Sequence, residues 1–370
     1  MKKKSTTYKK KYYDIKDDFR EYPDAWMYMV WSKRGPGKTY STLRYMIENN
    51  KIFVFVKRTI KEVNILCGGG RRKRSSASVD LSPFKPLNRD FGWNIYMTKI
   101  PDCEGLAAFF QYEMVEGELV PVKLVGYCIA VSAIIEYKGF DMSEADYLIF
   151  DEFIPRKGER LNRNEGDLVM DLYETVSRDR IKRGRPELIL ICLANAVNIN
   201  NPMFQTMDVI DTAADMSVFH RWYTWLEERG ILLHFIDYGF DLEEGAQETG
   251  AQKAMKGTQW AKMAYGGEFA YDDFSAIGKV KLKHHKCKYS IRYKEKLYWL
   301  YYNEETKMYF LCQIRGQTEQ LFDLNRENQQ KLFWQEKGID LRQAAIEDRV
   351  IFSCYVAYDL IVNYKQIFKL

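Results

Sequence analysis

The segment Ser32-Lys33-Arg34-Gly35-Pro36-Gly37-Lys38-Thr39 follows directly on the apolar run Met27-Tyr28-Met29-Val30-Trp31. A short, unbroken apolar run reads as a buried strand, and the glycine-punctuated stretch after it reads as a turn into a helix. Strand, glycine loop and helix in that order make a phosphate cradle. Gly35 and Gly37 can take backbone angles that aim successive N–H groups at one centre, where the positive end of the following helix adds to them. The usual pattern is GxxxxGK[ST], and Gly37-Lys38-Thr39 matches its end while Ser32 stands at the first glycine. On this pattern Lys38 reaches the β- and γ-phosphates of a nucleoside triphosphate and the Thr39 hydroxyl ligates Mg²⁺.

A second strand, Tyr147-Leu148-Ile149-Phe150, runs into the adjacent carboxylates Asp151-Glu152. This is the form of a Walker B strand: Asp151 is expected to hold Mg²⁺ and Glu152 to polarise the attacking water. A dedicated base favours hydrolysis over simple nucleotide switching. A third strand, Leu188-Ile189-Leu190-Ile191-Cys192-Leu193, ends in Ala194-Asn195-Ala196. Asn195 is placed either to sense the γ-phosphate or to cap the next turn. Between these strands, Val176 to Arg185 holds five basic residues in ten. Such a run serves as a solvated face, a polyanion contact, or an arginine finger reaching a neighbouring subunit's phosphates.

With 370 residues, 46% of them hydrophobic, the chain has material for more than one core. Its 56 Lys+Arg against 51 Asp+Glu leave a net charge of only +5, so any polyanion surface must be local. Three clusters qualify: Lys2, Lys3, Lys4, Lys9, Lys10 and Lys11; Arg71, Arg72, Lys73 and Arg74 after Gly68-Gly69-Gly70; and Lys279 to Lys288. Seven cysteines, odd in number and never in CxxC spacing, speak for a reducing compartment and against a structural zinc. No apolar run reaches the roughly 20 residues of a membrane span. The expectation is a protein of a reducing cytoplasm with no membrane partner.

Strands expected at Ile52–Val56, Gly126–Val131, Tyr147–Phe150 and Leu188–Leu193 alternate with helices at Tyr40–Glu48 and Asp167–Val176. The fold class is therefore α/β with a largely parallel sheet over residues 1–205, its ligand at the carboxyl ends of the strands. Residues 206–275, with Trp222, Trp225 and acidic turns, read as a small linker domain. Residues 276–370 read as short alternating strands at Tyr289–Tyr293, Leu297–Tyr302 and Met308–Gln313, then a helical close from about Leu341 to Lys369.

Taken in order, Ser32–Thr39, Ile149-Phe150-Asp151-Glu152-Phe153-Ile154, Thr175-Val176-Ser177-Arg178-Asp179-Arg180 and Cys192-Leu193-Ala194-Asn195-Ala196-Val197 resemble the DNA-packaging ATPases of small, protein-primed, phi-29-like tailed phages. Arg34 is among the residues that mark the loop as this family's version. The resemblance implies an additional-strand (ASCE) P-loop ATPase domain, a linker domain, and a C-terminal RNase H-like domain that has lost nuclease function. It implies ATP and Mg²⁺ as cofactors, double-stranded DNA as substrate, and a homopentameric ring at the portal of a procapsid. A packaging RNA between ATPase and portal is a further implied partner. Lys38 and Thr39 correspond to Walker A, Asp151 and the catalytic Glu152 to Walker B, and Arg178 to a trans-acting arginine finger, with Arg180 as second candidate. A functional lysine after the second strand is open among Lys57, Arg58 and Lys61.

A working nuclease needs several carboxylates converging on metal ions about 4 Å apart. Tyr289–Tyr293 and Leu297–Tyr302 contain neither Asp nor Glu. The competing readings are a large terminase that also cuts DNA, and an ATP-gated nucleic-acid-binding assembly factor that is not a motor.

Overall fold

The computed structural model describes residues 12–67, 80–137, 140–156, 159, 164–236, 250–258, 261, 269 and 274–368. The basic clusters at 2–11 and 71–74 lie outside the described residues. The chain divides into two compact units, 1–208 with 219–271, and 209–218 with 272–370.

In the first unit, α1 (Ile15–Glu21), β1 (Met27–Ser32), α2 (Lys38–Glu48), β2 (Phe53–Lys57), α3 (Ile60–Leu66) and α4 (Lys85–Phe91) lead into three strands, β3 (Ile95–Lys99), β4 (Leu106–Val115) and β5 (Glu118–Ala130). There follow β6 (Tyr147–Asp151), α5 (Glu165–Ser177), β7 (Ile189–Asn195) and α6 (Pro202–Thr206). Past α7 (Ile210–Val218), which belongs to the second unit, come β8 (Tyr223–Leu226), β9 (Ile231–Ile236) and α8 (Gly250–Met255). The strands form one nine-stranded sheet in the order β3-β4-β5-β2-β6-β7-β1-β9-β8. From β5 to β9 every pairing is parallel, and the antiparallel pairings lie toward the edges. A parallel strand covered on both faces must be apolar throughout, which is why all six residues of β1 are buried. Trp31 packs edge-on to Phe204 at 5.4 Å between ring centroids and lies parallel to Phe235 at 6.0 Å.

One placement matters most for chemistry. β7 lies between β1, which feeds the glycine loop, and β6, which carries Asp151. That inserted strand is the ASCE arrangement, and the α/β class expected of residues 1–205 holds.

The expected linker domain over 206–275 needs correcting. Among the described residues it is not a unit of its own: β8 and β9 join the large sheet, and α7 belongs with the C-terminal unit. β9 pairs in parallel with β1 from Met27↔Ile231 to Ser32↔Ile236, so Ile231-Leu232-Leu233-His234-Phe235-Ile236 is buried on both faces beside the loop strand. The apolar run is legible in the sequence, but its partner is about 200 residues away along the chain, and local patterning carries no such information.

The second unit contains β10 (His285–Tyr293), β11 (Lys296–Asn303), β12 (Tyr309–Cys312), β13 (Leu321–Asp323), α9 (Glu327–Phe333), α10 (Ile339–Ile346), β14 (Val350–Phe352), α11 (Tyr355–Val362) and α12 (Tyr364–Phe368). Its sheet order is β13-β10-β11-β12-β14, with β10, β11 and β12 antiparallel and the outer strands parallel to their neighbours. The expected helical close is interrupted by β14, whose Val350 and Phe352 are buried in the core with Ile291, Tyr298, Leu300, Phe333 and Leu360. Three residues are too few for periodicity to separate a strand from a helix. No helix among the described residues is long and apolar enough to cross a membrane.

Candidate nucleotide site

β1 ends at Ser32, whose backbone stays in strand geometry, so this position does not require a glycine. Its hydroxyl instead has a partner: Lys38 Nζ donates to Ser32 Oγ at 2.5 Å, and more weakly to the Lys33 carbonyl at 3.3 Å. The two glycines are needed where they stand. Gly35 (φ +96°) and Gly37 (φ +87°) occupy backbone space that strains any side chain, and Gly37 opens α2 with no side-chain cap on its first turn. Arg34 is exposed and Pro36 buried, the Pro36 carbonyl accepting the Tyr13 N–H at 2.9 Å. Asp18, itself buried, accepts the Tyr13 hydroxyl at 2.8 Å and meets His234 Nδ1 at 2.9 Å, so the segment before β1 is fastened to the loop and to β9.

The carboxyl ends of β1, β2, β6 and β7 bring the remaining groups together. Asp151, at the end of β6, accepts the Thr39 hydroxyl at 2.8 Å on Oδ1 and Lys57 Nζ at 2.7 Å on Oδ2. Asn195, at the end of β7, places Oδ1 3.4 Å from Lys38 Nζ. It therefore faces the glycine loop. Burial pushes the Lys38 amine down to about 7, with Asp151 and Glu152 opposing that fall. Lys57 is half-buried, and there the attraction of Asp151 outweighs desolvation and raises its pKa.

Glu152 follows β6 with φ +59°, the left-handed region that glutamate rarely enters. Its Oε1 accepts Arg156 at 3.0 Å, an ion pair of partly exposed groups. Behind it sits Arg58, just past β2 and 6% exposed. Arg58 forks onto the fully buried Glu165 at 2.7 and 2.9 Å and donates to the carbonyls of Glu152 and Phe153 at 3.0 and 3.2 Å. Sequence reading left a functional lysine open among Lys57, Arg58 and Lys61. The fold commits the first two within their own chain, Lys57 to Asp151 and Arg58 to Glu165, while Lys61 is exposed. An acidic residue in the first turn of α5 was the available signal, but nothing local tied Glu165 to Arg58.

Arg178 caps the carboxyl end of α5 and is exposed. Arg180 needs correcting as a second finger: its guanidinium is 2% exposed and donates to the carbonyls of Ala145 and Pro186 at 2.5 Å each, and it pairs with Asp146. These partners lead into β6 and β7, so the loop is anchored at the amino-terminal edge of the sheet. A five-residue strand at about 3.3 Å per residue separates that edge from Asp151 by roughly 15 Å. The structure thus joins Ser32, Lys38, Thr39, Asp151 and Asn195, with Glu152 next along the chain, and leaves Arg178 apart.

The donor set suits a nucleoside triphosphate with a divalent cation. A Cβ on Gly35 would meet nothing within 4 Å, the first turn of α2 is uncapped, and a hydroxyl and a carboxylate lie side by side. Mg²⁺ is commonly held by one or two protein oxygens, with phosphate and water completing its shell.

The profile of the podovirus DNA encapsidation protein (Gp16) family matches residues 112–337, well over half of the chain. The chain belongs to this family. The DNA packaging protein of Bacillus phage B103 is 32% identical over 173 residues, 46% of this chain and 49% of that protein. The chain thus spans about half the length of the curated relatives it matches. Two solved structures share the fold across nearly all of it, each at 17% identity. One is the bacteriophage Phi-29 viral genome packaging motor assembly, with TM-score 0.62 over 97% of this chain and 99% of that one. The other is the Phi-28 gp11 DNA packaging motor, with TM-score 0.56 over 97% and 98%.

Proposed function

We propose that this protein is an ATP-hydrolysing subunit of a ring, pentameric as the family resemblance implies, that drives double-stranded DNA through the portal of a procapsid. Packaging RNA is a further partner on the same grounds. The observation that carries the reading is the convergence of Lys38, Thr39, Asp151 and Asn195, with Glu152 adjacent, at the carboxyl ends of neighbouring strands. Family membership supplies the DNA substrate.

In this reading Thr39 and Asp151 hold Mg²⁺, and Lys38 with the first-turn N–H groups of α2 holds the phosphates. Bound Mg²⁺ would neutralise charge that develops on the phosphates. Lys57 holds the Asp151 carboxylate in place through their ion pair. Glu152 accepts a proton from the attacking water, and Asn195 ties the state of the phosphate site to β7. Arg178 is exposed beside Ile181, which is 70% exposed, and that basic and apolar loop is suited to a neighbouring subunit.

ATP turnover should rise when duplex DNA is added, irrespective of its sequence, because translocation along phosphates reads no bases. Turnover indifferent to DNA would reject the motor in favour of an assembly factor. Lys38 gives a second expectation. With its amine lowered to about 7, it is mostly neutral at about pH 8.5, and a bound triphosphate favours the charged form. MgATP binding at that pH should therefore take up close to one proton, seen as a calorimetric enthalpy that varies with the buffer's ionisation enthalpy. A buffer-independent enthalpy would mean that Lys38 is already charged. The same shift makes the nucleotide-free fold gain stability as pH rises from about 7 toward about 10.5, since the unfolded chain binds the extra proton over that window.

A further inference from the structure

The loop after β6 is held by one buried side chain that the phosphate chemistry leaves unused. Arg58 donates to the carbonyls of Glu152 (3.0 Å) and Phe153 (3.2 Å), forks onto Glu165 at the start of α5, and reaches Glu159 Oε2 at 3.1 Å. Glu159 Oε2 also accepts the backbone N–H of Arg156 at 2.9 Å. A single guanidinium therefore fastens both ends of the Glu152–Glu159 loop to the exit of β2 and to α5. The residue at the centre of that grip, Glu152, has the left-handed backbone. A non-glycine residue persists there only where its surroundings over-determine it. The two carbonyl contacts supply that constraint. Burial works against the Arg58 charge, but Glu165 and Glu159 outweigh it, so the grip stays charged.

We propose that Arg58 is the positioning residue for Glu152, with Glu165 aligning its fork, so that the β2 exit sets the direction in which the Glu152 carboxylate points. This rests on the reading of Glu152 as the base. Arg58 makes five hydrogen bonds, two to Glu165 and one each to Glu159 and the carbonyls of Glu152 and Phe153, spread over its planar fork. Lysine can balance the charge of Glu165, but its three donors on one nitrogen cannot replace them all.

The test is turnover and MgATP affinity of Arg58→Lys, measured in the parent and in a Glu152→Gln background, with Arg58→Met/Glu165→Met as a second, charge-free replacement of the pair. Arg58→Lys should lower kcat by about 10- to 100-fold with MgATP affinity within about threefold of the parent. In the Glu152→Gln background it should cost almost nothing more, because both changes act through one group. The double methionine variant should show the same loss of kcat as Arg58→Lys. Parent-like kcat in Arg58→Lys, or the same fold-loss with and without Glu152, would overturn the proposal. If Glu152→Gln alone leaves turnover intact, the reading of the base fails first, and that result is distinct from either of these.

Discussion

Glu152→Gln is expected to bind MgATP as the parent does while turnover falls by about 10²–10⁴-fold, the usual worth of a positioned base. Glutamine keeps the shape and hydrogen-bonding reach of the side chain but cannot accept the proton of the attacking water. The fold should tolerate the change. The carboxylate's ion pair with Arg156 joins partly exposed groups and is worth at most about 1 kcal/mol. The backbone contacts of Glu152 are made by its carbonyl, which the substitution leaves in place. Binding of a fluorescent nucleotide beside single-turnover hydrolysis separates the two effects. Undiminished DNA-stimulated hydrolysis in the variant would remove Glu152 from the base role.

Arg178→Ala should reduce turnover further, by about 10³–10⁵-fold, without disturbing the fold. The reason is placement. Arg178 is exposed on a loop anchored at the amino-terminal edge of the sheet, whereas Lys38, Asp151 and Asn195 sit at the carboxyl edge. Any action on a phosphate is therefore expected on a neighbour's. In mixtures, a Glu152→Gln subunit still offers Arg178, and an Arg178→Ala subunit still has Glu152. Some interfaces in a mixed ring are then complete, and activity should return although each protein alone is inactive. Failure of every mixing ratio would remove support for a finger acting between subunits. Arg180→Ala is the contrasting control. It strips a buried guanidinium from Asp146 and three carbonyls, so it should cost about 3–5 kcal/mol of stability and appear as a lowered Tm.

The site was legible where its chemistry demands consecutive residues. The glycine loop, Asp151-Glu152 and the strand ending in Asn195 each announce themselves, because a phosphate cradle needs contiguous N–H groups and a buried parallel strand needs contiguous apolar side chains. Local pattern was equally good for the lengths of α2 and α5, which start within two residues of their expected positions. It failed where the decisive partner is remote. Arg178 and Arg180 are alike in a list of charges, yet the fold buries one and exposes the other. Lys57 and Arg58 are adjacent and both basic, but successive residues leaving a strand turn to opposite sides, and they reach different carboxylates.

By itself, then, the sequence determined the strands and turns on which the candidate site is built. The glycine loop of Ser32–Thr39 and the carboxylates Asp151-Glu152 stand at the ends of apolar strands, and that follows from local backbone geometry and apolar patterning. Only the tertiary structure decided how those pieces stand to one another. It inserted β7 between β1 and β6, which brings Asn195 to Lys38, and added β9 beside β1 from a stretch expected to be a separate domain. It also made Arg58 the clamp on Glu152. Strand pairing and buried ion pairs are set by which distant apolar faces and charges satisfy each other on collapse, and the spacing of residues along one chain does not encode that choice.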